Sequence, residues 1–177
     1  LALFTGARME ELGQLRSSDV TNISYPNDQG EMRSAWFIRI VADEDDGLQL
    51  KNAGSERMVP VHSVLQVLGF VAFANDTLGN ENKRLFPALK PNVYGRLTAK
   101  WGEWFNPYMR STCGITDKRM VFHSFRHTFK DYARLSGMSE GVQRQLMGHS
   151  SGDAADHYGS GYPPHQLVEG MRLYKIP

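Results

Sequence analysis

The chain has 177 residues, a hydrophobic fraction of 41%, a charged fraction of 22% and a formal net charge of +1. That length suits one domain, long enough to bury about two-thirds of the unfolded surface, and the composition excludes a collagenous, low-complexity or broadly disordered protein. A balance of 20 basic against 19 acidic residues is not by itself the footprint of a nucleic-acid binder, and no apolar run approaches the ~20 residues of a membrane span.

In chain order, Leu1-Ala2-Leu3-Phe4 reads as the end of a helix already under way, so a fragment of a longer protein is expected. Thr5-Gly6 breaks that helix, and Thr5 is placed as N-cap of a second one carrying Met9, Leu12 and Leu15 at helical spacing. Trp36-Phe37-Ile38-Arg39-Ile40-Val41 predicts a strand, followed by an acidic loop holding Asp43-Glu44-Asp45-Asp46. Leu48-Gln49-Leu50-Lys51 and Arg57-Met58-Val59-Pro60-Val61 flank the turn-forming Asn52-Ala53-Gly54-Ser55. This predicts a β-hairpin with Lys51 at its tip and Pro60 on an edge or strand end.

From Ser63 the chain turns helical. Val64, Leu65, Val67, Leu68, Val71 and Phe73 predict one helix ending near Leu78-Gly79-Asn80, and Tyr94, Leu97, Trp101, Trp104 and Phe105 predict another. Cys113 to Arg119 is polar and reads as a loop. Three shorter helices follow, punctuated by Gly137, Gly148 and Gly159, with Ser139 as N-cap of the middle one. The tail, residues 161–177, presents Leu167, Val168, Met171 and Leu173 as an apolar face that suits packing in cis or in trans. Residues 1–177 therefore read as one domain, mainly α with a small antiparallel β-sheet.

Basic residues gather in the C-terminal half, at Lys90, Arg96, Lys100, Arg110, Lys118, Arg119, Arg126, Lys130, Arg134 and Arg144. Such clustering makes one face basic even when the total nearly cancels. Cys113 is the single cysteine, which excludes an intrachain disulfide and leads us to expect a reducing, cytoplasmic compartment.

Several residues bear chemistry. Arg8 and Glu11, three apart on a helix, share a face, and a guanidinium oriented by a carboxylate is a good donor to phosphate oxygens. Alone, the pair reads first as an ordinary surface ion pair. His123 and Arg126 repeat the spacing, suiting a site that binds an anion and moves protons. The bland alternative is a histidine satisfying a backbone group. His127, four residues after His123, invites a metal reading with His149, Asp153 and His157. A zinc hydrolase of the H-E-x-x-H type needs a glutamate where Ser124 stands, so no catalytic metal is expected. Tyr158, nine residues beyond His149 in a polar, Gly-flanked segment, has a phenol of ordinary pKa about 10. It becomes a nucleophile toward a phosphodiester only where cations neutralise the phosphate and a base draws off its proton. Lys51 on a loop could protonate a leaving alkoxide.

The order of these pieces is more specific than any one of them. Thr5-Gly6-Ala7-Arg8-Met9-Glu10-Glu11-Leu12, then Lys51 before Arg57-Met58-Val59-Pro60, His123-Ser124-Phe125-Arg126-His127-Thr128, Leu146-Met147-Gly148-His149-Ser150 and Tyr158 together resemble the tyrosine recombinase (phage integrase) family, over about nine-tenths of the chain. The resemblance implies a helical catalytic domain with a small lateral sheet. Arg8 and Arg126 would clamp the scissile phosphate, with His123 and His149 completing the pocket and His123 assisting proton transfer. Lys51 would protonate the departing 5′ oxygen, Glu11 would support the pocket, and Tyr158 would become a 3′-phosphotyrosine. It further implies double-stranded DNA as partner, four protomers on two duplexes with a monomer in solution, a nucleoid-associated enzyme, and no metal, ATP or other cofactor. The chain departs from the family in starting almost at the first arginine, so the preceding helix and an N-terminal DNA-gripping domain are read as absent and weak DNA binding by this piece is expected. The acidic loop before Lys51 also lengthens the sheet connection. Rival readings are a type IB topoisomerase, an idle DNA-binding module of the same fold, and a metal-dependent hydrolase.

Overall fold

The computed structural model describes residues 1–41, 56–76, 84–149 and 161–177. Two short helices, α1 (Ala2–Thr5) and α2 (Met9–Gly13), lead through a 3-10 turn (Ser17–Asp19) into three strands, β1 (Val20–Pro26), β2 (Met32–Ile40) and β3 (Arg57–Pro60). Six helices follow among the described residues: α3 (Ser63–Val67), α4 (Phe70–Asp76), α5 (Ala99–Ser111), α6 (Ser124–Leu135), α7 (Glu140–Met147) and α8 (Pro164–Leu173). The strands form one antiparallel sheet in the order β1-β2-β3. The fold class is thus the expected one, helices beside a small antiparallel sheet.

Strand β2 carries the centre of the core. Phe37 and Ile38 are both fully buried although they point to opposite faces, so the sheet is covered on both sides there. Val59 of β3, Phe129 and Ala133 of α6, Leu146 of α7 and Leu167 of α8 belong to the same core cluster. Phe129 and Ala133, one turn apart, set the inward stripe of α6, and Arg126 lies on it one turn earlier, buried as well. Gly6 packs against this stripe: its φ is 61°, and a Cβ there would lie 2.6 Å from Phe129 Cδ1. Glycine alone meets both demands.

Several local expectations change in the structure. Thr5 is the last residue of α1 rather than the N-cap of α2; its hydroxyl donates to the Leu1 carbonyl and accepts from Ala7 N–H. Arg8 takes the N-cap position, and the Glu11 carboxylate reaches back to its N–H at 2.7 Å. The helix foreseen from Val64 to Phe73 is two, α3 and α4, because Gly69 adopts φ 82° between them and leaves Val67 and Leu68 exposed. Tyr94 lies outside α5 and is exposed.

Strand β3 bonds to β2, Ile38 opposite Val59, as the last strand of the sheet among the described residues, and Pro60 stands at its end. The strand foreseen at residues 48–51 and the helix foreseen before Gly159 lie outside the described residues. Strand β1 is an addition. Its hairpin to β2 closes through Asn27, whose side-chain oxygen accepts from Gln29 and Glu31 N–H while Gly30 turns at φ 78°.

The ends foreseen at Ser139 and Gly148 hold: Ser139 Oγ accepts from Val142 N–H at the start of α7, and Gly148 closes α7 at φ 62°, while the helix end foreseen near Leu78-Gly79-Asn80 lies outside the described residues. The C-terminal segment packs on its own domain. Leu167, Val168 and Met171 are buried, whereas Leu173 is exposed. Tyr174 locks the end, its hydroxyl donating to the Leu3 carbonyl at 2.7 Å. Its own carbonyl accepts from His62 Nε2–H at 3.1 Å, the His62 Nδ1 atom being occupied as acceptor for Val64 N–H. None of the helices described is long and apolar enough to cross a membrane.

Candidate active site

Four chain segments far apart in sequence meet at one place: the turn between α1 and α2, the start of β3, the first turn of α6, and the end of α7. The Gly6 turn delivers Arg8, whose side chain is 24% exposed. Its guanidinium donates to Glu11 Oε1 at 2.7 Å, and its backbone N–H donates to Oε2. The other side of the same carboxylate is taken by Arg57, with NH2 2.7 Å from Oε2 and NH1 3.3 Å from Oε1. Arg57 also donates from Nε to the Leu146 carbonyl at 2.8 Å.

Arg126 closes the arrangement. One terminal nitrogen donates to the Gly6 carbonyl at 2.5 Å and the other to the Met147 carbonyl at 2.6 Å. Two successive carbonyls at the end of α7 therefore accept from two different arginines. Helix C-termini favour such cations because their last carbonyls lack intrahelical donors. Gly148 follows immediately and His149 N–H bonds back to the Arg144 carbonyl at 3.0 Å, which puts His149 at the rim of the cluster.

The electrostatics follow from three guanidinium groups around one buried carboxylate. Burial alone would raise the Glu11 carboxyl, but the hydrogen bonds and charge of Arg57, and then the bonds from Arg8, outweigh it and hold the group below its ordinary value. Arg126 is pushed down to about 10, first by burial and then by repulsion from Arg8 and Arg57. His149 is pushed down to about 4, by partial burial first and then by Arg126, Lys130, Arg8 and Arg57. An excess of positive charge with oriented N–H donors suits an oxyanion such as phosphate.

A measurable consequence concerns His149. In DNA-free protein its ring should titrate near 4, and an anion bound among the arginines should move that titration back toward the ordinary 6.5. NMR of the ring Cε1–H, assigned with a His149→Gln variant, reads both values; a titration near 6.5 without any anion would refute this electrostatic picture. The linkage has a definite sign. The folded pKa lies below the unfolded one, so the histidine's contribution to stability is complete above about 6.5 and is lost as pH falls toward about 4.

Of the residues chosen from sequence, the structure brings together Arg8, Glu11, Arg126 and His149. His123 sits at the N-cap position of α6, exposed, and its ring packs edge-on against His127 at 5.1 Å between centroids. It thus stands one turn before Arg126, at the outer end of the site. Lys51 and Tyr158 lie outside the described residues, as do Asp153 and His157. Among the described residues, no three His, Cys, Asp or Glu side chains are grouped to hold a metal ion.

Arg57 is the residue that sequence reading missed. A lone arginine opening an apolar strand, before Met58-Val59, is a signal in retrospect, since a buried guanidinium demands a buried acid. Nothing local says that the acid is Glu11. Lys130, one turn after Arg126 on α6, joins the set by its field on His149.

No protein-family model and no curated protein sequence matches the chain. Solved structures do. The Tn1549 transposon integrase in complex with transposon right end DNA aligns with a TM-score of 0.52 at 19% identity, over 99% of this chain and 52% of that one. The same integrase in complex with a circular intermediate DNA aligns with a TM-score of 0.50 at 18% identity, again over 99% of this chain and 52% of that one. The chain spans about half the length of these structures, and at such identities the likeness is one of fold: this chain is similar in architecture to a transposon integrase.

Proposed function

We propose that this chain is the catalytic domain of a site-specific DNA recombinase that cuts and rejoins double-stranded DNA through a covalent bond to Tyr158. The observation that carries the reading is the convergence of Arg8 and Arg126, distant in sequence, on one positively charged cluster with His149 at its rim. The fold shared with a DNA-bound integrase supports it.

In this reading the scissile phosphate sits between Arg8 and Arg126, which offer N–H groups to its non-bridging oxygens. Arg126 spends one donor each on Gly6 and Met147 and keeps further N–H groups for the phosphate, since a guanidinium carries five donors. His149 is neutral at pH 7 and contributes a ring N–H. The Tyr158 phenol oxygen attacks phosphorus as the bond to the 5′ oxygen breaks; the phenol proton passes toward His123, and Lys51 supplies a proton to the departing 5′ oxygen. The product is a 3′-phosphotyrosine and a 5′ hydroxyl. Attack by a 5′ hydroxyl of another strand reverses the step and releases Tyr158, so neither ATP nor a metal ion enters the balance. Glu11 shapes the pocket without touching DNA. Four protomers on two duplexes, acting at the nucleoid, complete the proposal.

The test is covalent trapping. Full-length protein incubated with a nicked half-site duplex in excess chelator should form a protein–DNA adduct, and mass spectrometry should map it to the peptide containing Tyr158. Mapping to another residue, or loss of the adduct in chelator, would overturn the proposal. Relaxation of supercoiled plasmid without strand exchange would instead identify a topoisomerase.

A further inference from the structure

Arg57 lies in the cluster yet is sealed from solvent, its side chain only 1% exposed. All three of its guanidinium nitrogens are engaged, Nε by the Leu146 carbonyl and NH1 and NH2 by the Glu11 carboxylate, so its part in the reaction runs through these neighbours. Those neighbours are specific. Each Glu11 oxygen accepts from both arginines: Oε1 from the guanidinium of Arg8 at 2.7 Å and of Arg57 at 3.3 Å, Oε2 from the Arg8 backbone N–H and from Arg57 NH2, both at 2.7 Å. The planar fork of Arg57 fixes the carboxylate in two directions, and the carboxylate in turn fixes Arg8.

The same guanidinium reaches the other half of the site. Its Nε–H holds the Leu146 carbonyl, and Gly148 lies directly over it, where a Cβ would come within 2.6 Å of NH1 and 3.0 Å of Cζ. The left-handed turn that presents His149 is therefore built against Arg57, by contact as well as by hydrogen bond. Lysine could match the charge, but its single ammonium cannot make the fork and the Nε bond together.

We propose that Arg57 is a positioning residue that aligns Arg8, through Glu11, with the Gly148–His149 turn, so that both present their donors to one phosphate. This rests on the strand-transfer reading above, whose catalytic groups it aligns.

The experiment uses full-length protein carrying Arg57→Lys, Arg57→Gln, Glu11→Gln or the double change Glu11→Gln with Arg57→Gln. Single-turnover cleavage of the nicked half-site should fall about 10- to 100-fold in each Arg57 variant, the usual range for an outer residue that orients a catalytic one, with DNA affinity within about twofold of wild type. The double variant should be no slower than the slower single one, because both remove the same alignment.

The pH readout separates positioning from mere support of the fold. Without Arg57 the Glu11 carboxyl loses its strongest favourable partner, so its titration by 13C NMR, and the acid limb of the cleavage rate, should both move to higher pH, with Arg57→Lys moving them less than Arg57→Gln. Cleavage that falls only in step with the folded fraction, or a Glu11 titration unmoved in both variants, would overturn the inference. If Arg57→Gln does not fold, Arg57→Lys decides; failure of both to fold would also overturn it, assigning Arg57 to the fold alone. A wild-type protein that forms no adduct refutes strand transfer itself, whereas a competent wild type with unaffected Arg57 variants refutes this inference alone.

Discussion

Arg126→Ala in the full-length protein should abolish adduct formation, lowering single-turnover cleavage by at least about a thousandfold. Loss of one preorganised donor to a developing oxyanion costs about a hundred- to a thousandfold, and here the residue also holds the site together. Its two bonds, to the Gly6 and Met147 carbonyls, join the turn that delivers Arg8 to the end of α7 that delivers His149. With Arg126 only 4% exposed, truncation leaves two buried carbonyls without a charged donor, at about 1.5–3 kcal/mol each.

Arg126→Lys separates the two roles. It keeps the charge but cannot serve both carbonyls, so destabilisation of about 2 kcal/mol is expected, or a fall of about 4–8 °C in Tm for a domain of this size. Cleavage measured well below that temperature should still be about a hundredfold slower than wild type. A lysine variant that cleaves at the wild-type rate would show that Arg126 is structural only, and would remove the main support for phosphate clamping.

Tyr158→Phe should have the cleanest effect: loss of cleavage by on the order of 10⁴-fold or more, the scale on which removing a covalent nucleophile acts, with DNA affinity unchanged. The substitution deletes one oxygen, the atom that would bond to phosphorus, and leaves the arginine cluster intact. A substrate whose bridging 5′ oxygen is replaced by sulfur discriminates further. The departing thiolate is a weaker base than an alkoxide and needs no proton donor, so this substrate should restore cleavage by a Lys51→Ala variant and not by Tyr158→Phe. Adduct formation by Tyr158→Phe at the wild-type rate would transfer the nucleophile to another residue.

How much of this was legible beforehand differs from residue to residue. Arg8, Glu11, Arg126 and His149 stand in short motifs, and the structure gathers them because each motif sits at an element end with its own local determinant: the αL turn at Gly6, the first turn of α6, the αL cap at Gly148. Local errors came where two local readings compete. Thr5 can cap a following helix or close a preceding one, and the hydroxyl's bond to the Leu1 carbonyl settles it as the end of α1. Gly69 could sit in a continuing helix at modest cost, but at φ 82° it breaks the run. Strand β1 is not legible in the sequence because Asn22 and Ser24 dilute its apolar pattern, although the Asn27–Gly30 turn marks its end.

The amino-acid sequence by itself determined the class of the fold, the helix ends at Gly6, Gly137, Ser139 and Gly148, and the grouping of Arg8, Glu11, Arg126 and His149 as parts of a possible phosphate site. These depend on periodicity, caps and turn residues, all interactions between residues a few places apart. Only the tertiary structure decided that Arg57 shares Glu11 with Arg8, that successive carbonyls of α7 go to Arg57 and Arg126, and that Tyr174 anchors the C-terminal segment in cis. The reason is physical: a buried charge is satisfied by whichever opposite charge or carbonyl the packed core brings within about 3 Å, and nothing in the spacing of residues along the chain encodes that meeting.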